Sequence, residues 1–264
     1  MNSVLIGMAV HDSPENKRSE YTIRCIKEVV KSIEKTGSIH KLYIVDNAST
    51  CLETRQYLRM ISFHPRVVLM TNEKNIGTAE AINKAWRYRQ PGQHCVKMDN
   101  DVLIHDLKWI DRLREAIERE PRIGICGLKR KDCWEHPDHE QPDLRSTLFM
   151  LPHEAGERWI VGERVFHVMG TCQMYNSAFL DKIGYLYQPS LYGYDDVLAA
   201  HRAAAAGYWS VFLPHIEIDH IDPGDTPYQK WKEDHSSEVT QEVIRISREY
   251  RNGSRPIYYN PFQS

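Results

Sequence analysis

The sequence predicts an α/β domain built on a mostly parallel, doubly wound sheet flanked by helices. Two observations carry the prediction. From Ser3 to Met98, short apolar runs alternate with segments of helical periodicity, four strands against three helices. That alternation is the pattern of parallel strands joined by crossover helices. Each strand also runs into a polar group: Asp12 after the first, Asp46 after the second, Asn75 after the third, and Asp99 with Asp101 after the fourth. Ligands of open α/β sheets bind beyond the carboxyl ends of the strands, so one edge of this sheet is the expected site.

The first strand is Ser3 to Val10, β-branched and apolar, stopping at His11-Asp12-Ser13-Pro14. Ile23, Ile26, Val29, Val30 and Ile33 then form a helical stripe within Glu20 to Lys35, which Gly37 closes. Leu42 to Val45 is the second strand, Leu52 to Ile61 a helix, and Arg66 to Met70 the third strand. Asn75-Ile76-Gly77-Thr78 leads into a helix over Ala79 to Tyr88, with Ala79, Ile82, Ala85 and Trp86 facing inward. The fourth strand begins at His94 and ends in Asp99-Asn100-Asp101.

The second half differs in character. Leu107 to Glu118 reads as a helix and Ile123 to Leu128 as a strand. Lys129 to Glu163 is rich in charge, His and Pro without steady periodicity, and is expected to be an irregular excursion. A loop that long in a compact domain is usually a lid, a binding segment or flexible. Val165 to Tyr175 returns to strand-like alternation, and Asn176 to Ile183 is a short helix ended by Gly184. Tyr192-Gly193-Tyr194-Asp195-Asp196 opens an Ala-rich helix to Ala206, with Gly207 as its stop. Val211 to Leu213 is a further strand, and Ile216 to Asp219 carries the chain to His220. Thr226 to Tyr250 reads as a long amphipathic helix, followed by a tail that packs on the body or frays. The expected division is one domain over 1–221, whose two halves meet at about residue 101, then a C-terminal helix and tail over 222–264.

Composition narrows the function classes. At 264 residues, 41% hydrophobic and 27% charged, the chain suits an ordinary globular domain. A net charge of −2 provides no footprint for non-specific nucleic-acid binding, although a local basic patch stays open. The N-terminus lacks the pattern of a signal peptide and no apolar run is long enough to cross a bilayer, so the expected compartment is the cytoplasm. Six cysteines, none in a Cys-x-x-Cys pair, read as reduced thiols. Cys126 and Cys133 near His136 and His139 leave a zinc arrangement open, but the spacing fits no standard pattern and a solvated loop is preferred.

Asp99 and Asp101 carry the chemistry. At a strand end, carboxylates on alternate positions can turn toward one point, where they repel unless a cation sits with them. Such oxygen ligands suit Mg²⁺ or Mn²⁺, which in turn hold the phosphates of a nucleotide. A plain polar turn is the competing reading, since Asp and Asn favour turns.

Four groups, taken in order, carry a family resemblance: Val45-Asp46-Asn47-Ala48-Ser49-Thr50; Asn75-Ile76-Gly77-Thr78-Ala79 with Asn83; Met98-Asp99-Asn100-Asp101 as an Asp-x-Asp motif; and Tyr192-Gly193-Tyr194-Asp195-Asp196 with Arg202 and Gly207-Tyr208. Over residues 3 to 221 the chain resembles the nucleotide-sugar-dependent glycosyltransferases of the Rossmann-like GT-A fold, most closely the family-2 type. It departs from that pattern at Asp195, where Glu is commoner, and at Leu198, where an aspartate is often found.

The resemblance implies roles. Asp46 meets the base, accepting an imide N–H of uracil, and Asp12 with the backbone of Val10 to Ser13 lines the nucleoside pocket. Gly77 permits close backbone approach and Asn75 bonds base or ribose, although a turn capping the next helix explains both equally. Asp99 contacts ribose or metal, Asp101 is the direct metal ligand, and His220 is a candidate third ligand, preferred over His215. Asp196 is the general base, with Asp195 orienting the acceptor or exchanging roles with it, although both also suit a helix N-terminus. Gly170-Thr171-Cys172 lines the donor sugar, and Trp134, Trp159, Tyr192 and Tyr194 are candidate stacking faces.

The implied activity is an inverting, metal-dependent transfer from a UDP-sugar to an acceptor hydroxyl. The acceptor, whether a saccharide, a modified base in DNA or a protein side chain, stays open. Competing readings are a retaining transferase, a sugar nucleotidyltransferase and a catalytically silent sugar-binding module. The nucleotidyltransferase loses ground because His11-Asp12-Ser13-Pro14 lacks the Gly-rich loop typical of that class.

Overall fold

The computed structural model describes residues 3–36, 40–131, 147–222, 224 and 227–263. In chain order the first elements are β1 (Leu5–Val10), α1 (Ser19–Lys35), β2 (Lys41–Asp46), α2 (Leu52–Ile61), β3 (Val67–Thr71), α3 (Thr78–Trp86) and β4 (Cys95–Met98). There follow β5 (Val102–Ile104), α4 (Trp109–Arg119), β6 (Ile123–Arg130), β7 (Thr147–Met150), β8 (Val161–Val165) and β9 (Cys172–Tyr175). The last are α5 (Ser177–Ile183), α6 (Asp195–Ala205), β10 (Trp209–His220) and α7 (Pro227–Arg251).

The strands form one sheet in the order β3-β2-β1-β4-β9-β6-β10-β8-β7, with β5 pairing β10 from the side. β3, β2, β1 and β4 are mutually parallel. β1 shows why the first strands read as nearly continuous apolar runs. Alternate residues of a strand face opposite layers, and both layers here are covered by helices. Ile6, Met8 and Val10 join one core cluster with Ile26 and Ile33 of α1. Leu5 joins the other with Ile82 and Trp86 of α3 and Phe179 of α5.

Beyond β4 the sheet becomes mixed. β9 is antiparallel between β4 and β6, while β10 runs parallel to β6. The excursion expected over Lys129 to Glu163 is corrected in its described part. β7 and β8 form an antiparallel pair that docks through β8 on β10. β7 is an edge strand with both Leu148 and Met150 exposed, so it lacks the in–out alternation that reveals a strand. Cys133, Trp134, His136 and His139 lie outside the described residues.

The strand expected over Val165 to Tyr175 is only Cys172–Tyr175, and residues 166–171 are a loop that enters the site. The strand expected over Val211 to Leu213 is longer: β10 runs through Pro214 and takes in Ile216 to Asp219 as well. Its pairing with β6 shifts register between Leu213 and Glu217, so Pro214 falls where no regular ladder bond is required. β5 was not expected at all; three residues carry too little periodicity to read.

The tail packs on the body. Tyr185 N–H donates to Tyr259 O at 2.9 Å, and Tyr259 N–H to Ile183 O at 2.9 Å. Arg202 of α6 buries its guanidinium among the carbonyls of Ile183, Tyr185 and Ile257, so this motif residue is a structural tie. Leu198 packs with Val243, Ile246 and Tyr250 and holds α7 against α6. Cys25, Cys51, Cys95, Cys126 and Cys172 are free thiols. Among the described residues, no helix is long and apolar enough to cross a membrane.

Candidate active site

A cleft of about 1870 Å³ lies at the carboxyl edge of the sheet, bounded on one side by α7. Its centre is the turn after β4. Asp99 N–H donates to Thr171 O at 3.0 Å, which ties the turn to the loop before β9. Asn100 is buried and its amide donates to Thr22 Oγ1 of α1 at 2.7 Å. With Asn100 held inward, the carboxylates on either side are aimed into the cleft.

Asp101 is nearly inaccessible. Its Oδ2 accepts from Arg18 Nη2 at 2.5 Å, and His220 Nε2 stands 3.4 Å away. Its Oδ1 is buried without a hydrogen-bond partner. Burial pushes this carboxyl up, but the bond to His220 and the charge of Arg18 outweigh it and hold the group well below the usual carboxylate range. His220 arrives through strand pairing. Residue Val102 of β5 lies opposite His220 of β10, and Ile221 N–H donates to Asp101 O at 2.9 Å. His215 is exposed, five positions earlier on the same strand.

The second wall is the start of α6. Gly193 and Tyr194 both have positive φ, +88° and +65°, and this tight double turn places Asp195 and Asp196 in the first turn of the helix. Tyr194 is a non-glycine residue in the left-handed region, a conformation that needs support from its surroundings. Its hydroxyl lies 2.9 Å from Thr240 Oγ1 of α7. Asp196 Oδ2 accepts from Gly170 N–H at 2.8 Å, and its Oδ1 from Val197 N–H at 2.8 Å. His167 Nε2 lies 3.1 Å from Oδ2. Burial raises the Asp196 pKa, but the charge and hydrogen bond of His167 overcome it, and the carboxyl sits well below its ordinary value. His167 is shifted the other way: burial lowers it, Asp196 raises it more, and the net shift is upward.

Lys97 joins the two walls. It is buried on β4, with Nζ 2.9 Å from Asp195 Oδ2 and 3.7 Å from Asp99 Oδ1. Burial disfavours its charge, yet Asp195, Asp99 and Asp196 together raise its pKa well above the ordinary lysine value. Burial pushes Asp99 up, with Lys97 opposing and Asp101 and Asp195 adding to the rise. A Cβ at Gly170 would stand 2.4 Å from Lys97 Nζ, so a larger residue here would push the lysine from its place.

The nucleoside end differs from expectation. Val10 and His11 line the cleft, but the Asp12 side chain does not. It is fully buried, with Oδ2 accepting from Thr54 Oγ1 at 2.7 Å and its N–H donating to Ser49 Oγ at 3.0 Å. Asp12 thus pins the first loop to α2. Asp46 Oδ1 accepts from Ser49 N–H at 2.9 Å, and the neighbouring Asn47 is the residue on the cleft wall. Asn75 also lines the cleft, but its Oδ1 already accepts from Asn47 Nδ2 at 2.6 Å and Gly77 N–H at 2.9 Å. At Gly77 (φ +88°) the close approach is to Leu191, whose Cα and O would lie 3.1 Å from a Cβ.

Tyr192 and Tyr194 line the cleft, whereas Trp159 is 67% exposed and packs at a tilt against His153. Arg18, Lys97, His167, Tyr228, Trp231 and Lys232 also line the cleft and went unread in the sequence. A lone lysine two residues before Asp99 in a buried strand was a usable signal. The others come from loops and helix faces with no local mark.

Among the described residues, no three His, Cys, Asp or Glu side chains are gathered into a formed metal site. The donor set is nonetheless suitable. Asp99, Asp101 and His220 offer carboxylate oxygens and an imidazole nitrogen that suit Mg²⁺ or Mn²⁺, and the buried Oδ1 of Asp101, without a hydrogen-bond partner, is an atom that such an ion would satisfy.

A search of curated proteins finds no match. Solved structures do resemble the chain. A mannosyltransferase from Pyrobaculum calidifontis, in complex with GDP-Man and Mn²⁺, is 16% identical with a TM-score of 0.65, covering 92% of this chain and 64% of its own. GalNAc-T7 with UDP, GalNAc and Mn²⁺ is 14% identical with a TM-score of 0.63, covering 94% and 50%. S. aureus TarS 1-349 in complex with UDP-GlcNAc is 13% identical with a TM-score of 0.59, covering 92% and 66%. The chain spans one half to two thirds of these proteins, and at such identities the likeness establishes the fold. The sequence model for glycosyl transferase family 2 matches residues 15–184, more than half of the chain, and the chain therefore belongs to that family.

Proposed function

We propose that this protein transfers a sugar from a UDP-sugar to the hydroxyl of a saccharide or other acceptor, with inversion at the anomeric carbon. One observation carries the reading: the Asp99/Asp101/His220 group and the Asp195/Asp196 pair face one continuous cleft from opposite walls, with Lys97 between them. Asp99, Asp101 and His220 would hold Mn²⁺ or Mg²⁺. When bound, that ion would neutralise charge developing on the departing diphosphate. The nucleoside would lie toward Val10, Asn47 and Asn75, the polar end of the cleft.

Asp196 is the proposed base. It is ionised at neutral pH, and two backbone N–H groups and His167 fix its direction. Its side chain still keeps 20% of its surface, enough to receive a proton from an acceptor hydroxyl. Asp195, held by Lys97, would orient the acceptor. A UDP-sugar is favoured over other donors because two of the three structures named above carry uridine nucleotides. The free thiols favour a reducing compartment, the cytoplasm.

Calorimetric titration with UDP, GDP, CDP and dTDP, with and without Mn²⁺, tests the donor site. UDP is expected to bind in a Mn²⁺-dependent manner, and Asp101→Ala is expected to lose about a hundredfold or more in affinity, at 1.4 kcal/mol per tenfold. Absence of binding by any nucleoside diphosphate under either condition would refute the reading.

A further inference from the structure

Arg18 stands at the start of α1 and belongs to none of the motifs discussed above. Its backbone is anchored by a local clip: Ser13 N–H donates to Asn16 Oδ1 at 2.9 Å and Asn16 N–H returns the bond to Ser13 Oγ at 3.2 Å. Asn16 Oδ1 also accepts from Arg18 N–H at 3.3 Å. From that fixed point the side chain extends along the cleft wall to the turn after β4. Its guanidinium bonds Asp101 Oδ2 at 2.5 Å, Asn100 Oδ1 at 3.2 Å and the Asp222 carboxylate. One face lies over the Tyr228 ring, 4.6 Å from its centroid.

The guanidinium is therefore a cation already seated on the carboxylate assigned to the metal. Arg18 and Asp101 side chains retain 4% and 5% of their surface, so neither charge is balanced by water. A buried charge left without a partner is strongly unfavourable, and Asp101 needs a cation whether or not a metal is bound. Arg18 shares each of its carboxylates with a second side chain. His220 stands 3.4 Å from Asp101, and Lys232 Nζ pairs with Asp222 at 3.0 Å. A guanidinium presents a planar fork that matches phosphate oxygens. It has an aromatic face, Tyr228, against which to turn without losing its stacking.

We propose that Arg18 is a built-in counter-cation of the donor site, which competes with the divalent metal for Asp101 and, once displaced, binds the diphosphate of the donor. This rests on the donor-site reading above. It adds that metal and nucleotide load cooperatively. In the free protein an incoming divalent ion meets a guanidinium that repels it, and a diphosphate relieves that repulsion by taking the guanidinium as its own ligand. The orphaned Oδ1 of Asp101 remains the point of entry.

A merely structural strut and a competing cation predict different signs. Mn²⁺ binding to the free protein, read by electron paramagnetic resonance without nucleotide, is compared with UDP binding at saturating Mn²⁺, read by calorimetry. In Arg18→Gln, Mn²⁺ affinity is expected to rise about tenfold while UDP affinity falls about tenfold or more. Arg18→Lys, which keeps charge but cannot fork between Asp101 and Asp222, is expected to move both affinities the same ways by smaller amounts. Thermal melts establish that each variant is folded, and the Lys variant alone decides the signs if the Gln variant is not. A fall in both affinities, or an unchanged Mn²⁺ affinity, overturns the proposal. Failure of the wild-type protein to bind UDP would instead refute the donor-site reading, because the Mn²⁺ arm needs no nucleotide.

Discussion

The two carboxylate walls of the cleft are built on opposite plans. Asp101 sits at a strand end with one oxygen bonded to the Arg18 side chain and the other without a hydrogen-bond partner. Asp196 sits at a helix start with both oxygens held by backbone N–H groups, and His167 beside one of them. Both groups lie well below the usual carboxylate range, for different reasons: Asp101 chiefly through His220 and Arg18, Asp196 chiefly through His167. The first arrangement keeps an open valence, which suits a ligand for something that arrives and leaves. The second leaves the carboxylate no freedom of direction, which suits a proton acceptor that must meet a hydroxyl at one angle.

The sharpest way to break this comparison is to neutralise one wall at a time. Asp196→Asn is expected to lower kcat by about 10²–10⁴-fold, the range for a positioned general base, with UDP affinity unchanged. Asp101→Ala is expected to damage donor binding itself. Equal loss of donor affinity in both variants would show that the walls are not functionally separate.

A smaller effect is expected at Gly170. A methyl group there would crowd Lys97 Nζ at 2.4 Å and Asp196 Oδ2 at 3.2 Å. Gly170→Ala is expected to destabilise the fold by about 1–3 kcal/mol, as overpacking of a filled site does. Denaturant unfolding measures it. An unchanged midpoint would mean that Lys97 has room to withdraw, and that the link between the walls is looser than its distances suggest.

The smallest effect concerns pH. His167 has a raised pKa in the folded protein through Asp196 and Asp195, against burial and Lys97. Its contribution to stability is complete below the ordinary histidine value of about 6.5 and fades as pH rises through the raised folded value. The depressed Asp196 acts in the other window, losing its contribution only as pH falls through its folded value in strong acid. Melting temperature should therefore decline above about pH 6.5, and more gently in His167→Gln. Identical slopes would show that His167 is not paired with Asp196 in solution.

Legibility in the sequence followed strand burial. The first four strands could be read because their residues are nearly all apolar, as burial of both faces requires in β1, and the polar strand ends stand out. Leu52–Ile61 was read to the residue for the related reason that turn residues frame it. β7 has two exposed apolar residues at a sheet edge and β5 has only three residues, so neither carries a period. Asp12 shows the limit at the site itself. Its place after the first strand marked it as a binding residue, but the direction of its side chain depends on Thr54, a hydroxyl on another helix.

The sequence by itself determined the α/β alternation, the edge of the sheet that holds the site, and the two aspartate pairs at Asp99/Asp101 and Asp195/Asp196. These follow from hydrophobic period and from what stands at the end of a strand or the start of a helix, both local properties. Tertiary structure decided the side chains that each carboxylate meets. His220 reaches Asp101 through the pairing of β5 with β10, His167 reaches Asp196 through the loop before β9, and Arg18 reaches Asp101 from the start of α1. An ion pair needs only a few ångströms of proximity in space, and no regular spacing along the chain records it.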